Sequence, residues 1–222
     1  MAIKVITVGE QILGVNEEKA KENKKQLDDL GVLTINIMSS PGAGKTSLIL
    51  STIKQLKDKA RIGVIEGDVA SSVDAEKVNA AGIPVVQINT QGGCHLDAFM
   101  VADALDSLPL KEIDLLFIEN VGNLICPNNY LLGEDIRLMI ASMPEGDDKP
   151  YKYPAMFADT EVVILNKSDL QPYIDFNESA FRKVLTGLNP DVIIFPVSCK
   201  TGAGMEAWFA WLESAVKGKK NR

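Results

Sequence analysis

The chain has 222 residues, enough for one sizeable core. Apolar residues make up 46 % and charged residues 24 %, an ordinary globular composition, and the net charge of −7 without a basic stripe argues against a general nucleic-acid binder. No run approaches the ~18 apolar residues of a membrane span, and "MAIKVITVGE" lacks the apolar core and cleavage site of a signal peptide.

The charged stretch "NEEKAKENKKQLDDL", residues 16–30, predicts a solvent-facing helix that can pack on a partner. Strand and helix patterns then alternate. Strands are expected at "VLTINIM", "RIGVIEGD", "IPVVQIN", "DLLFIEN", "IRLMIASM", "EVVILNK" and "DVIIFPVS". Helices are expected after Gly44 and over 73–81, 95–107, 177–188 and 203–216. The strands are near-continuous apolar runs, as in strands buried on both faces. They predict an α/β fold of three layers, a mostly parallel sheet flanked by helices. Segments 122–134 and 143–158, with Gly, Pro, Asn and Asp, are expected to be mobile, and the terminal "KGKKNR" reads as a solvated tail.

"SSPGAGKTS" ends the first strand and opens a helix, the context a phosphate-binding loop requires. Gly42, Ala43 and Gly44 let backbone N–H groups curl around an anion. Lys45 reaches the β- and γ-phosphates, the Thr46 hydroxyl ligates Mg²⁺, and Ser47 lies in the first helical turn. Ser39 stands where the strict pattern has glycine.

"NKSD" ends a later strand and matches the N-K-x-D pattern of GTP-binding proteins. The Asp169 carboxylate accepts from guanine N1–H and from the exocyclic amine, donors that adenine lacks on that edge. Lys167 can cover the base, and Asn166 can tie neighbouring loops. In "SCKTG", Ser198, Cys199 and Lys200 resemble the S-A-K element that completes a guanine pocket.

"FIENVG" resembles a D-x-x-G switch, with Glu119 in the acidic place and Gly122 as the glycine whose N–H meets a γ-phosphate. Asp68 and Asp74 follow another strand end. Either can hold Mg²⁺ or orient the attacking water, although Asp74 reads equally well as a helix N-cap. Asn123 follows the switch glycine where Ras-like enzymes have glutamine, so slow intrinsic hydrolysis is expected.

Three cysteines, an odd number, point away from a disulfide framework and toward a reducing cytoplasm. Cys94 and adjacent His95 open a helical pattern, where a helix N-terminus favours the thiolate. Cys126 lies 32 positions further on, four after Gly122. At about 3.3–3.6 Å per residue, that places its Cα within roughly 14 Å of Gly122. Thiolate and imidazole suit Zn²⁺ and Ni²⁺, but lone cysteines also serve as small buried hydrophobes. One chain supplies three such ligands, so a full site needs water or a second chain, and a symmetric dimer is one answer.

Together, "SSPGAGKTS", "GGCHLDA", "IENVGNLICP", "NKSDL" and "SCKTG" resemble the hydrogenase nickel-incorporation GTPases, the HypB family. These belong to a nucleotide-dependent dimerising class that includes the signal-recognition GTPases. The resemblance runs from about residue 16 to 216 and implies GTP hydrolysis coupled to nickel delivery into the large-subunit precursor of a [NiFe]-hydrogenase. It implies Cys94, His95 and Cys126 as nickel or zinc ligands at a dimer interface, and a small HypA-type nickel-binding partner. In this reading 1–30 form a helical extension and 31–222 the GTPase domain, with Lys45, Asp68 and Glu119 as its catalytic groups. The first 30 residues contain no Cys and no His, unlike members with an N-terminal metal tract. A GTPase serving urease or a cobalamin enzyme, a P-loop kinase and a passive zinc-binding dimer are the alternatives.

Overall fold

The computed structural model describes residues 8–220, with side chains from residue 12 onward. In chain order the main elements are α1 (Val8–Asp29), β1 (Leu33–Ser39), α2 (Lys45–Leu56), β2 (Ile62–Asp68), α3 (Val73–Ala80), β3 (Val85–Asn89), α4 (Ala98–Leu105) and β4 (Leu115–Glu119). They continue with β5 (Ile136–Ser142), α5 (Lys149–Lys152), α6 (Pro154–Ala158), β6 (Val162–Asn166), α7 (Glu178–Leu188), β7 (Ile193–Pro196) and α8 (Met205–Lys220). All seven strands pair in parallel, in the order β3-β2-β4-β1-β5-β6-β7.

Successive residues of the central strands point to opposite faces, so both faces must be apolar and both must be covered. Leu115 and Phe117 pack with Leu48, Ile53, Val78 and Trp208 from α2, α3 and α8. Leu116 and Ile118 pack on the other face with Leu27 and Val101 from α1 and α4. Further along that second face, Met139 and Val163 meet Phe157 and Phe181 from α6 and α7. The result is the expected three-layer arrangement. Buried Trp208 keeps its one donor satisfied by hydrogen-bonding Thr52 Oγ1 at 3.0 Å.

Three expectations need correction. Of the terminal "KGKKNR", read as a solvated tail, residues 217–220 complete α8, Lys219 pairs with Asp28 and, at 2.6 Å, with Asp135, and Lys220 pairs with Asp114 at 2.9 Å; 221–222 lie outside the described residues. The helix read at 16–30 runs Val8–Asp29, and it is not merely solvent-facing. Asn16, Ala20, Asn23 and Leu27 form a buried stripe on α1, packed against α4. Two of those four are asparagines, which hides the stripe from an apolar count. The helix read at 95–107 runs only Ala98–Leu105, because the Asp97 carboxylate accepts the Met100 N–H and caps it there. Cys94 and His95 therefore lie in the turn before the helix. The segment 143–158 carries α5, α6 and a short 3₁₀ turn, Met143–Glu145.

Parallel strands end on one side of the sheet, where ligands bind in open α/β folds. Ser39, Asp68, Glu119 and Asn166 each close their strand on that side.

Candidate functional site

The strand-to-helix turn after β1 has Gly44 at φ +111°. Ser39 is fully buried, and Lys45 Nζ donates to its hydroxyl at 3.3 Å. The residue that departs from the strict motif thus steadies the lysine. Lys45 also lies 3.9 Å from the Glu119 carboxylate, and the Thr46 hydroxyl donates to Glu119 Oε1 at 3.1 Å. The phosphate loop and Glu119 therefore share one point.

A cavity of about 230 Å³ opens there, lined by Lys45, Glu66, Asp68, Asp74, Glu119 and Gly122 among others. Glu66 was not among the residues singled out from the sequence. It pairs in register with Glu119 on the neighbouring strand and is 3 % exposed. A glutamate inside the apolar run "IGVIEGD" was the available signal. Burial, then the Glu119 charge, pushes the Glu66 carboxyl well above the usual range. Burial raises Glu119 too, against the pull of Lys45.

Glu66 Oε1 and Glu119 Oε2 are buried without a hydrogen-bond partner. Buried carboxylate oxygens are costly unless something pairs them. A hydroxyl, these carboxylates and the nearby Asp68 form an oxygen-rich set that fits Mg²⁺. Asp68 itself accepts the N–H groups of Ala70 and Ser71, at 2.9 and 2.6 Å, which shapes the turn after β2. Asp74 is in the first turn of α3 and pairs with Lys77 at 2.7 Å, while Ser72 holds the N-cap position that Asp74 was also read to fill. Gly122 packs on the phosphate loop, and a Cβ there would lie 3.0 Å from Pro41 Cα.

A second cavity of about 410 Å³ adjoins Gly42, Gly44 and Ser47 and extends to Asn166, Asp169 and Lys200. Asn166 does tie the loops. Its amide donates to Ala43 O at 2.9 Å, and its oxygen accepts the Cys199 N–H at 3.2 Å. Lys167, with φ +61°, donates to Gly42 O at 2.8 Å. Ser198 Oγ donates to Asp169 Oδ1 at 2.6 Å. Burial pushes the Cys199 thiol up to about 11, so that sulfur stays protonated and inert.

The third constellation joins residues far apart in sequence. Donor atoms of Cys94, His95 and Cys126 lie within 4.8 Å of one another. Cys94 Sγ is 3.6 Å from His95 Nδ1, and Asn123 Nδ2 is 3.6 Å from Cys126 Sγ. Asn123 Oδ1 also accepts the N–H groups of Ile125 and Cys126, at 2.7 and 3.2 Å, which folds the loop back toward Cys94. The His95 ring stacks on Tyr130 with centroids 3.9 Å apart. Burial lowers the His95 pKa, which favours the neutral, metal-binding imidazole. The hydrogen bond with Cys94, then burial, raises the Cys126 pKa. Two thiols and an imidazole this close match the donor set of Zn²⁺ and Ni²⁺ and leave one tetrahedral position open.

A parallel sheet with a phosphate loop, a second cavity lined by Asn166, Lys167 and Asp169, and a thiol–imidazole cluster defines a P-loop nucleotide-binding protein with a candidate metal site. The family model described as CobW/HypB/UreG, nucleotide-binding domain, matches residues 33–196. The hydrogenase maturation factor HypB of Rhizobium leguminosarum bv. viciae is 48 % identical over 210 residues, covering 95 % of this chain and 70 % of its own. The probable hydrogenase maturation factor HypB of Methanocaldococcus jannaschii is 40 % identical over 213 residues, covering 96 % of each chain. The crystal structure of HypB from Helicobacter pylori in complex with nickel superposes with a TM-score of 0.87. It shares 37 % identity, covering 92 % of this chain and 96 % of that one. This chain belongs to the HypB family.

Proposed function

We propose that the protein is a Mg²⁺-dependent GTPase metallochaperone that hydrolyses GTP to GDP and phosphate and serves hydrogenase maturation. The observation that carries this reading is the continuity of one segment, residues 119–126. It meets the phosphate loop through Glu119 and Gly122, and it holds the metal-site thiol Cys126 at its far end.

In this reading Asp169 selects guanine and Lys45 neutralises the phosphates. Thr46 and Asp68 would hold Mg²⁺, with Glu119 acting on it through water, and the bound ion would offset charge on the transferring phosphoryl group. Asp68 and Asp74 face the same cavity and are the candidates to orient water. Cys94, His95 and Cys126 take nickel as cargo, or zinc in its place. Each chain presents three ligands, so a homodimer that pools two such sets fits the open coordination position. A HypA-type protein and the large-subunit precursor of a [NiFe]-hydrogenase are the proposed partners, and the cytoplasm is the proposed place of action. Among the described residues no helix is long and apolar enough to cross a membrane. As proposed domains, 1–30 are the N-terminal extension, with 1–7 outside the described residues, and 31–222 the GTPase domain, with 221–222 outside them.

The test is nickel affinity and coordination spectrum with GDP and with a non-hydrolysable GTP analogue. Different affinities are expected, and identical affinities and spectra would overturn the coupling. Phosphate release by wild type and not by Lys45→Ala checks the GTPase separately.

A further inference from the structure

The residue after Glu119, Asn120, is fully buried, and its side chain points away from the nucleotide cavity. Its Oδ1 accepts two backbone N–H groups, from Leu96 at 3.1 Å and from Val121 at 3.0 Å. Leu96 directly follows His95. The Asn120 amide donates to Asn36 Oδ1 at 3.2 Å, and the Asn120 N–H donates to Ile37 O at 3.0 Å. Asn120 is therefore fastened to β1 and at the same time holds the turn that carries Cys94 and His95.

The chain of bonds continues. Asn36 Nδ2 donates to Glu134 Oε1 at 3.2 Å. Glu134 Oε2 accepts the N–H groups of Leu132 and Gly133, at 2.7 and 3.0 Å, and Glu134 pairs with Arg137 at 3.5 Å. Arg137 in turn donates to Asn128 O at 2.8 Å, in the 3₁₀ turn that begins at Cys126. One buried polar network thus fixes both ligand-bearing segments, and it starts one residue beyond Glu119. The Asn120, Asn36 and Glu134 side chains are hydrogen-bonded throughout, which rigidifies the segments they join, while Arg137 Nε meets Glu134 only as an ion pair.

We infer that Asn120 is a positioning residue for the metal site, which sets the placement of the Cys94–His95 turn through the Leu96 N–H. It touches no ligand atom. Groups that orient ligands in this way typically change metal affinity by about 10–100-fold when removed. The inference rests on the reading of Cys94, His95 and Cys126 as metal ligands.

The experiment is a nickel titration of the nucleotide-free protein, followed by the thiolate-to-metal charge-transfer band, beside binding of a fluorescent GDP. Asn120→Ala is expected to weaken nickel binding by about tenfold or more and to shift the band, with GDP affinity within about twofold of wild type. Asn120→Asp keeps the Oδ1 acceptor for the Leu96 N–H but loses the donor to Asn36 Oδ1, and is expected to fall between wild type and Asn120→Ala. If Asn120→Ala does not fold, Asn120→Ser, too short to reach the Leu96 N–H, is read in its place. A wild-type band and affinity in the truncated variants would overturn the inference, as would loss of nickel and GDP binding together. Wild-type protein without any thiolate band, or with one that survives Cys94→Ser and Cys126→Ser, would instead overturn the metal-site reading, and the inference with it.

Discussion

Gly44 is the tightest point of the nucleotide site, and Gly44→Ala gives a worked case. Its φ of +111° lies where an L side chain is strained, at a cost of about 1–2 kcal/mol. A Cβ at this position would overlap Asn166 Nδ2 and lie 3.6 Å from its Cγ. Asn166 is 2 % exposed and cannot turn into solvent, so yielding breaks its bonds to Ala43 O and the Cys199 N–H. At about 1 kcal/mol each, those two bonds and the backbone strain sum to about 3–4 kcal/mol. For a chain of this size that corresponds to a fall in Tm of about 10 °C. Urea denaturation of wild type, both single variants and Gly44→Ala/Asn166→Ala measures it. Asn166→Ala removes the obstacle as well as the bonds, so the two single losses should exceed the double loss by about 2 kcal/mol. A cost under about 1 kcal/mol for Gly44→Ala, or losses that add to within about 0.5 kcal/mol, would refute the reasoning.

Asp169→Asn should weaken GTP binding by about 100-fold, since it trades two charge-assisted bonds to guanine for a mismatched amide. The same variant should gain affinity for the xanthine nucleotide, whose C2 carbonyl can accept from the new amide; competition binding reads both. Asn23 is 1 % exposed and donates to Ala98 O and Leu132 O at 2.8 and 3.0 Å. Asn23→Ala leaves the buried Leu132 carbonyl without this donor and Ala98 O with only its helical partner, and should cost about 1–3 kcal/mol in urea denaturation; a loss under about 0.5 kcal/mol would argue for solvent entry. Hydrogen bonds from Arg61 hold the Asp114 carboxyl well below the usual carboxylate range. A pKa lower in the folded state stabilises above the unfolded value, and that contribution is lost as pH falls through the folded value. Thermal melts should therefore show wild type ahead of Asp114→Asn near neutral pH, with the gap closing below about pH 4.

The apolar runs made the parallel sheet legible, because a strand buried on two faces has no polar side to show. The phosphate loop and the guanine signature were legible for a related reason. Their residues sit next to one another in sequence, and each motif carries its own chemistry. The buried asparagines were not. Asn16 and Asn23 on α1, Asn36 in the middle of β1 and Asn120 just beyond β4 look solvent-facing until their hydrogen-bond partners are known. Glu66 was overshadowed by Asp68 two positions later, although its place within an apolar strand marked it. The short distance from Cys126 to Cys94 was beyond any argument from spacing, because the Asn123 turn and the packing of β4 beside β2 create it.

Strand order has one more consequence. β4 lies between β1 and β2, and both ladders reach its last residue, where Glu119 pairs with Ile37 on one side and Glu66 on the other. A strand fenced on both flanks resists sideways displacement, because shearing it would break two rows of hydrogen bonds at once. On the proposed reading, a pull at Glu119 therefore leaves the strand in place and falls on the segment beyond it, which reaches Cys126. The sheet is the fixed anchor, and the loop is the part left to move.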